Sequence, residues 1–208
     1  TDIGYDLGRT DIKIEKKGNI RLVGIHNIAN ICAATAAVID ICGIEAIRKV
    51  VTSFNGVKHR MEHIATTKGV KWYNDSIGTS PSRTMAGLNS FDKKIILIAG
   101  GYDKHIPYDV IGEPILLKVK HLVLLGATAP KIKEAVINAA KTLGKDYTEF
   151  LTIAEFKTLE ECVNYCDKIA KTGDIVVMSP ASASFDMYKN FEERGEHFCK
   201  LVENLKDA

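Results

Sequence analysis

The chain has 208 residues, 46% hydrophobic and 26% charged, enough for one good core or for a domain with part of a second. Its 28 basic and 26 acidic residues leave a net charge of +2, well mixed along the chain, which gives no electrostatic case for nucleic acid or an anionic membrane. Five cysteines, odd in number and without a C-x-x-C pair, argue against a disulfide framework or zinc knuckle and for a reducing cytoplasm, and no bilayer-spanning apolar run or signal-peptide pattern is read.

Thr1 opens the chain in place of methionine, on a polar, turn-rich segment that reads as the tail of something longer. Ile12 to Val23 predict a β-hairpin: IKIE, a Lys-Lys-Gly-Asn turn, then IRLV. Gly24-Ile25-His26-Asn27 then opens a helix that stops at Gly43. Alanine-rich and apolar nearly all round, that helix is expected to be buried. Asn27 and Asn30 lie three apart at its start, so that one would cap it and the other face a ligand. A second short helix, Ile44 to Ser53, leads into Phe54-Asn55-Gly56. The periodicity changes there, which divides the chain into residues 1–56 and 57–208.

From Met61, MEHIATT, a Lys68-Gly69 turn and VKWYND predict a second hairpin. Asp75 and Ser76 end it, and Thr79-Ser80-Pro81 starts a helix with a hydroxyl cap and proline in the first turn. Asp75 stands where it would bond a ribose or, more simply, cap that helix. Strands at Lys94–Ala99, His121–Leu125, Ile175–Met178 and, more weakly, Tyr147–Ile153 alternate with helices at Ala129–Ala140 and Leu159–Ala170. The second of these helices carries a Thr158/Glu161 capping box, and a last amphipathic helix begins near Asn190. This alternation predicts an α/β fold with a Rossmann-like, doubly wound, mostly parallel sheet.

In such a sheet the loops after Ala99, Leu125 and Met178 share one edge, where ligands bind. GGYDKH (Gly100 to His105) then sets Lys104 opposite the hydroxyls of SPASAS (Ser179 to Ser184), a pocket for a small carboxylate or phosphate, with Phe185 and Phe191 as walls. His59-Arg60-Met61-Glu62-His63 matches the H-x-x-E-H zinc pattern but runs into a strand, where a four-residue offset holds the rings too far apart for one metal; Glu62 and His63 are read as strand residues. Arg60 would pair with a phosphate or a surface acid. Neither a G-x-x-x-x-G-K-[ST] loop nor a G-x-G-x-x-G occurs.

Five blocks stand in one order: GIHNIANICAA (Gly24 to Ala34), FNGVKHRME (Phe54 to Glu62), WYNDSIGTSP (Trp72 to Pro81), LIAGGYDK (Leu97 to Lys104) and SPASASFDMYKNFEERG (Ser179 to Gly195). On these the chain resembles the carboxyl-terminal part of the Mur ligases, the last block being particular to the D-glutamate-adding branch. The resemblance implies that residues 1–56 end a central ATPase-type α/β domain and that residues 57–208 form the Rossmann-like amino-acid-binding domain. It implies a parent enzyme that activates the carboxyl of UDP-N-acetylmuramoyl-L-alanine with ATP as an acyl phosphate, which D-glutamate attacks through its amine. Thr79, Lys104, Ser184 and Phe191, with Phe185 beside them, would then hold D-glutamate. Asn27 and Asn30 would contact adenine, Arg60 the ATP phosphates and Asp75 the ribose. The phosphate loop and magnesium ligands would lie upstream of Thr1, leaving this chain inactive alone. One departure stands out: Ile77 occupies a position where family members often carry lysine, and Arg83 is a nearby cation that would replace it. A different amino-acid substrate, or a non-catalytic binding module, are the alternatives.

Overall fold

The computed structural model describes residues 2–6, 11–22 and 24–205. The chain divides into two compact units, Thr1–Gly56 and Val57–Ala208. In the first, β1 (Asp2–Asp6) pairs antiparallel with β2 (Asp11–Lys16). The hairpin thus lies one strand earlier than the sequence predicts. Lys17–Asn19 winds into a 3₁₀ turn instead of reversing the chain, and Ile20 and Leu22 pack on Ile14, Ile31 and Ile47 without forming a strand; Val23 lies outside the described residues.

Helix α1 (Ile25–Ser53) is broken at Gly43, whose φ of 72° and ψ of 163° are not helical, so two helices meet where the sequence places the stop. Its N-cap is Gly24, and the Asn27 N–H bonds the Gly24 carbonyl. Neither asparagine therefore caps the helix, because Asn27 already stands inside the first turn. The expectation of burial on all sides is also corrected. Ile31, Thr35 and Ile47 are buried, whereas Ile41 is 82% and Val50 61% exposed, since a two-stranded sheet covers one stripe of a helix. By length and composition alone, the helix over Asn27–Ser53 holds a stretch apolar enough to cross a membrane, which corrects the reading that no such run exists. The break at Gly43 and the charge of Asp40 interrupt it.

In the second unit β3 (Glu62–Thr67) and β4 (Val70–Asn74) form the predicted antiparallel hairpin, turning on Lys68 and Gly69 with φ of 52° and 77°. Then follow α2 (Pro81–Leu88), β5 (Ile95–Gly100), α3 (Gly112–Lys118), β6 (Val119–Leu125), α4 (Ala129–Thr142), β7 (Thr152–Phe156), α5 (Leu159–Ile169), β8 (Ile175–Met178) and α6 (Phe191–Asn204). The strand predicted over Tyr147–Ile153 begins later, because the Asp146 capping box turns Tyr147–Glu149 into a 3₁₀ helix. The sheet order is β3-β4-β8-β5-β6-β7, parallel except for the edge strand β3. Strands β5 and β8 are buried throughout, as apolar runs covered on both faces must be. Trp72, Ile96, Ile98, Val123 and Val176 pack on one face with Cys162, Cys166, Phe198 and Val202 of α5 and α6. Helices α2, α3 and α4 pack among themselves, with α4 against β5 and α3 against β6.

The chain leaves β5 toward α3 and leaves β8 toward α6, which packs against α5. Adjacent strands therefore send their connections in different directions. The gap between the β5 and β8 loops is the switch point, where an open α/β sheet receives its ligand.

Candidate functional site

Three loops meet at that switch point: residues 75–80 after β4, 101–108 after β5 and 179–190 after β8. Backbone bonds join them. The Asp75 N–H donates to the Met178 carbonyl, the Gly100 N–H to Pro180 and the Tyr102 N–H to Ala183, each at 2.8–2.9 Å. Gly101 is needed for this approach. A Cβ there would lie 2.3 Å from the Ala183 carbonyl oxygen, at a φ of 146°.

Lys104 is exposed, and its Nζ lies 3.4 Å from the Thr79 carbonyl oxygen, so the ammonium predicted to face the pocket meets the loop that carries Thr79. Ser184 is 2% exposed and Phe185 63%. The Phe185 ring meets Tyr102 edge-on at 5.9 Å. The carbonyl of the half-buried Phe191 accepts from Ser76 Oγ at 2.7 Å, and its ring meets His59 at 6.2 Å. The structure thus gathers the segments carrying Thr79, Lys104, Ser184, Phe185 and Phe191 around one edge of the sheet.

A residue that sequence reasoning missed holds this edge together. Arg194, 3% exposed, donates through Nε to Ser76 Oγ, through Nη1 to the Ser182 and Ala183 carbonyls, and through Nη2 to the Ser76 and Ser182 carbonyls, all within 3.2 Å. Every bond falls on a neutral acceptor of the 76 or 182–183 loop. Burial pushes the guanidinium down to about 10, against the pull of the Asp186 charge. The signal was available: Arg194 stands four and eight residues before Phe198 and Val202, on the inward stripe of an amphipathic helix. Ser182 Oγ, the centre of a buried cluster, lies 2.8 Å from Tyr108 Oη and 2.7 Å from Thr128 Oγ1.

Asp75 does not cap α2. Ser80 is the N-cap, and its hydroxyl faces Ser82 at 3.2 Å instead of the helix backbone. The Asp75 carboxylate turns inward, 4% exposed, and accepts from the Met61 N–H at 3.2 Å and from Ser179 Oγ at 2.6 Å. Burial pushes it up to about 6, although those two bonds and the charges of Arg60 and Arg83 favour the ionised form. It braces a turn in which His59 and Met61 have φ of 62° and 44°, conformations that side chains disfavour. Arg60, between them, is exposed. The His59 ring is fixed by Asn74 Nδ2 at 2.9 Å, while His63 lies on β3, and no group of three metal-ligating side chains occurs among the described residues. In the first unit, Asn30 Nδ2 donates to Asn27 Oδ1 at 3.3 Å, Asn30 being exposed and Asn27 half-buried.

A match to the family described as "Mur ligase, glutamate ligase domain" covers residues 59–182, from the strained turn into the start of the loop after β8. The chain belongs to the Mur ligase family. A UDP-N-acetylmuramoylalanine--D-glutamate ligase of Acetivibrio thermocellus is 52% identical over 199 residues, covering 96% of this chain and 42% of that protein. A ligase of the same name from Ruminiclostridium cellulolyticum is 48% identical over 209 residues, covering 97% of this chain and 44% of that protein. The chain therefore spans less than half the length of these curated relatives. Two solved structures share its fold at 14% identity. One is a bifunctional folylpolyglutamate synthase/dihydrofolate synthase of Yersinia pestis, with a TM-score of 0.64 over 96% of this chain and 43% of that one. The other is a pseudomurein peptide ligase type C of Methanothermus fervidus, with a TM-score of 0.62 over 99% of this chain and 41% of that one.

Proposed function

We propose that the chain is the carboxyl-terminal portion of a cytoplasmic, ATP-dependent amide ligase that adds D-glutamate to UDP-N-acetylmuramoyl-L-alanine in peptidoglycan synthesis. The observation that carries this reading is the Lys104 ammonium set on the Thr79 carbonyl at the switch point, in a chain 52% identical to a ligase of that name. In the proposal Lys104 neutralises a carboxylate of D-glutamate, the Thr79 and Ser184 hydroxyls donate hydrogen bonds to it, and Phe185 and Phe191 wall the site. Arg194 holds the Ser76 and Ser182–Ala183 backbone in place before the ligand arrives, which lowers the ordering cost at the reaction.

Residues 1–56 are assigned to the end of the central ATP-binding domain, and residues 57–208 to the amino-acid domain. Asn27 and Asn30 are proposed to contact adenine. Arg60, an exposed cation, suits the ATP phosphates. Asp75 is proposed to reach the ribose with the lone pairs that Met61 and Ser179 leave free. The magnesium ligands are assigned to the rest of the parent, as the family resemblance implies. The parent's ATP would give its terminal phosphoryl group to the substrate carboxylate, releasing ADP; this chain's task is to present the amine of D-glutamate, which displaces phosphate as the amide forms.

ADP release by the full-length parent, followed with UDP-N-acetylmuramoyl-L-alanine while D-glutamate, L-glutamate, D-aspartate and L-lysine are exchanged, tests the reading. Release that depends on D-glutamate is expected. Release driven by another amino acid would move the substrate, and silence with all four from a folded enzyme would favour a binding module.

A further inference from the structure

Arg83, the cation near Ile77, has no part in the function proposed above. Arg83 is exposed in the first turn of α2, and its Nη1 donates to the Ile77 carbonyl oxygen at 3.0 Å. The same oxygen accepts from the Thr79 N–H at 2.8 Å, closing a tight turn over Ile77–Thr79. The carbonyl at the other end of that turn, Thr79, is the one Lys104 Nζ approaches at 3.4 Å. Arg83 and Lys104 therefore flank a single short turn, whose ends are at most about 7 Å apart along the chain. Among the described residues neither is held in an ion pair. The Arg83 charge acts on Asp75, but that carboxylate is buried and bonded to Met61 and Ser179.

An amino acid with two carboxylates brings two negative charges to a site in which Lys104 answers one. The other, met by hydroxyls alone, would lose solvent without an opposite charge, which is costly. Ile77, on the same turn, is aliphatic and cannot serve. Arg83 can: its bond to Ile77 uses Nη1 and leaves the Nε–Nη2 edge, the fork that takes a carboxylate through two parallel hydrogen bonds. We propose that Arg83 binds the second carboxylate of the amino-acid substrate, Lys104 binding the first, and that this pair of cations across the Ile77–Thr79 turn selects a dicarboxylic amino acid. The proposal rests on the D-glutamate reading given above.

The test uses the full-length parent enzyme carrying Arg83→Ala, Arg83→Lys, or Ile77→Lys together with Arg83→Ala. Because Arg83 is exposed, the variants are expected to fold, and thermal melts check this. Arg83→Ala is expected to raise KM for D-glutamate about ten- to a hundredfold, the value of a charge-assisted hydrogen bond, while KM for ATP and for the UDP-sugar stays within about twofold. It should also narrow the preference for D-glutamate over D-norvaline, which lacks the side-chain carboxylate. Arg83→Lys should lose less, having charge without the fork, and Ile77→Lys should restore affinity to Arg83→Ala. An unchanged KM for D-glutamate, or a raised KM for ATP in its place, would overturn the assignment, the latter moving Arg83 to a phosphate. Wild-type turnover with D-glutamate and an unshifted Arg83→Ala overturns this inference alone. A wild type silent toward D-glutamate overturns the function reading and this inference together.

Discussion

A carboxylate 4% exposed that accepts only a backbone N–H and a serine hydroxyl is an uncomfortable place for a negative charge. Asp75 titrates at about 6 in the fold against about 4 in an open chain. Between those values the folded protein holds a proton that the unfolded chain has released, so stability falls as the pH rises through this window and is level above it. Asp75→Asn removes the burden: its amide oxygen still accepts from Met61, and its nitrogen donates to Ser179 Oγ. At pH 8 the variant is expected to be more stable than the wild type by up to about 3 kcal/mol, and the gap should close near pH 4. Urea unfolding of both chains at the two pH values measures this, and an equal gap at both would sink the account. If the carboxylate also touches a ribose, the more stable variant will be the poorer enzyme in the full-length parent.

At the scale of elements, helix α6 shows two effects of opposite sign. Gly195 lies inside it, where alanine would be favoured by about 1 kcal/mol through helix propensity. A Cβ at Gly195, however, would lie 2.2 Å from Nδ1 of the His59 ring, the same nitrogen that Asn74 Nδ2 holds at 2.9 Å. Overpacking costs about 1–3 kcal/mol, so Gly195→Ala is expected to destabilise the second unit and disturb the strained turn before β3. A raised melting temperature would show that the ring moves aside freely. The capping box of α5 is simpler. Thr158 Oγ1 accepts the Glu161 N–H, the Glu161 carboxylate accepts the Thr158 N–H, and Thr158→Ala should cost about 1 kcal/mol in a thermal melt. That box was legible because it is local, as were the strand runs of β5 and β8 and the turn at Lys68-Gly69. The first hairpin was not, since whether Ile12–Glu15 pairs forward or backward depends on a partner strand and not on its own pattern. The two bonds of Asp75 and the bonds of Arg194 to Ser76 were hidden for the same reason: their partners lie 14, 104 and 118 residues away along the chain.

For the whole chain, the two units have separate cores: Ile14, Ile31 and Ile47 in one, and the Trp72–Phe198 layer with its neighbours in the other. The larger unit encloses a complete sheet between helices, and a domain of that size buries enough apolar surface to be stable alone. The smaller one leaves Ile41, Val50 and Val38 of α1 exposed, more apolar helix surface than one hairpin covers. A chain of residues 57–208 is therefore expected to unfold in one cooperative transition, with a midpoint close to that of the second unit in the 208-residue chain. Removing residues 1–56 should also abolish most of the binding of a hydrophobic fluorescent dye, because exposed apolar patches of this extent attract such probes. The second unit offers the dye one competing patch, Tyr102, Phe185 and Met187, 42%, 63% and 38% exposed at the candidate site. Dye fluorescence that survives the truncation and falls when D-glutamate is added would place the binding there and not on α1. Fluorescence lost with residues 1–56 would assign it to the exposed side of α1, and a truncated chain that fails to unfold cooperatively would show that the second core depends on the first.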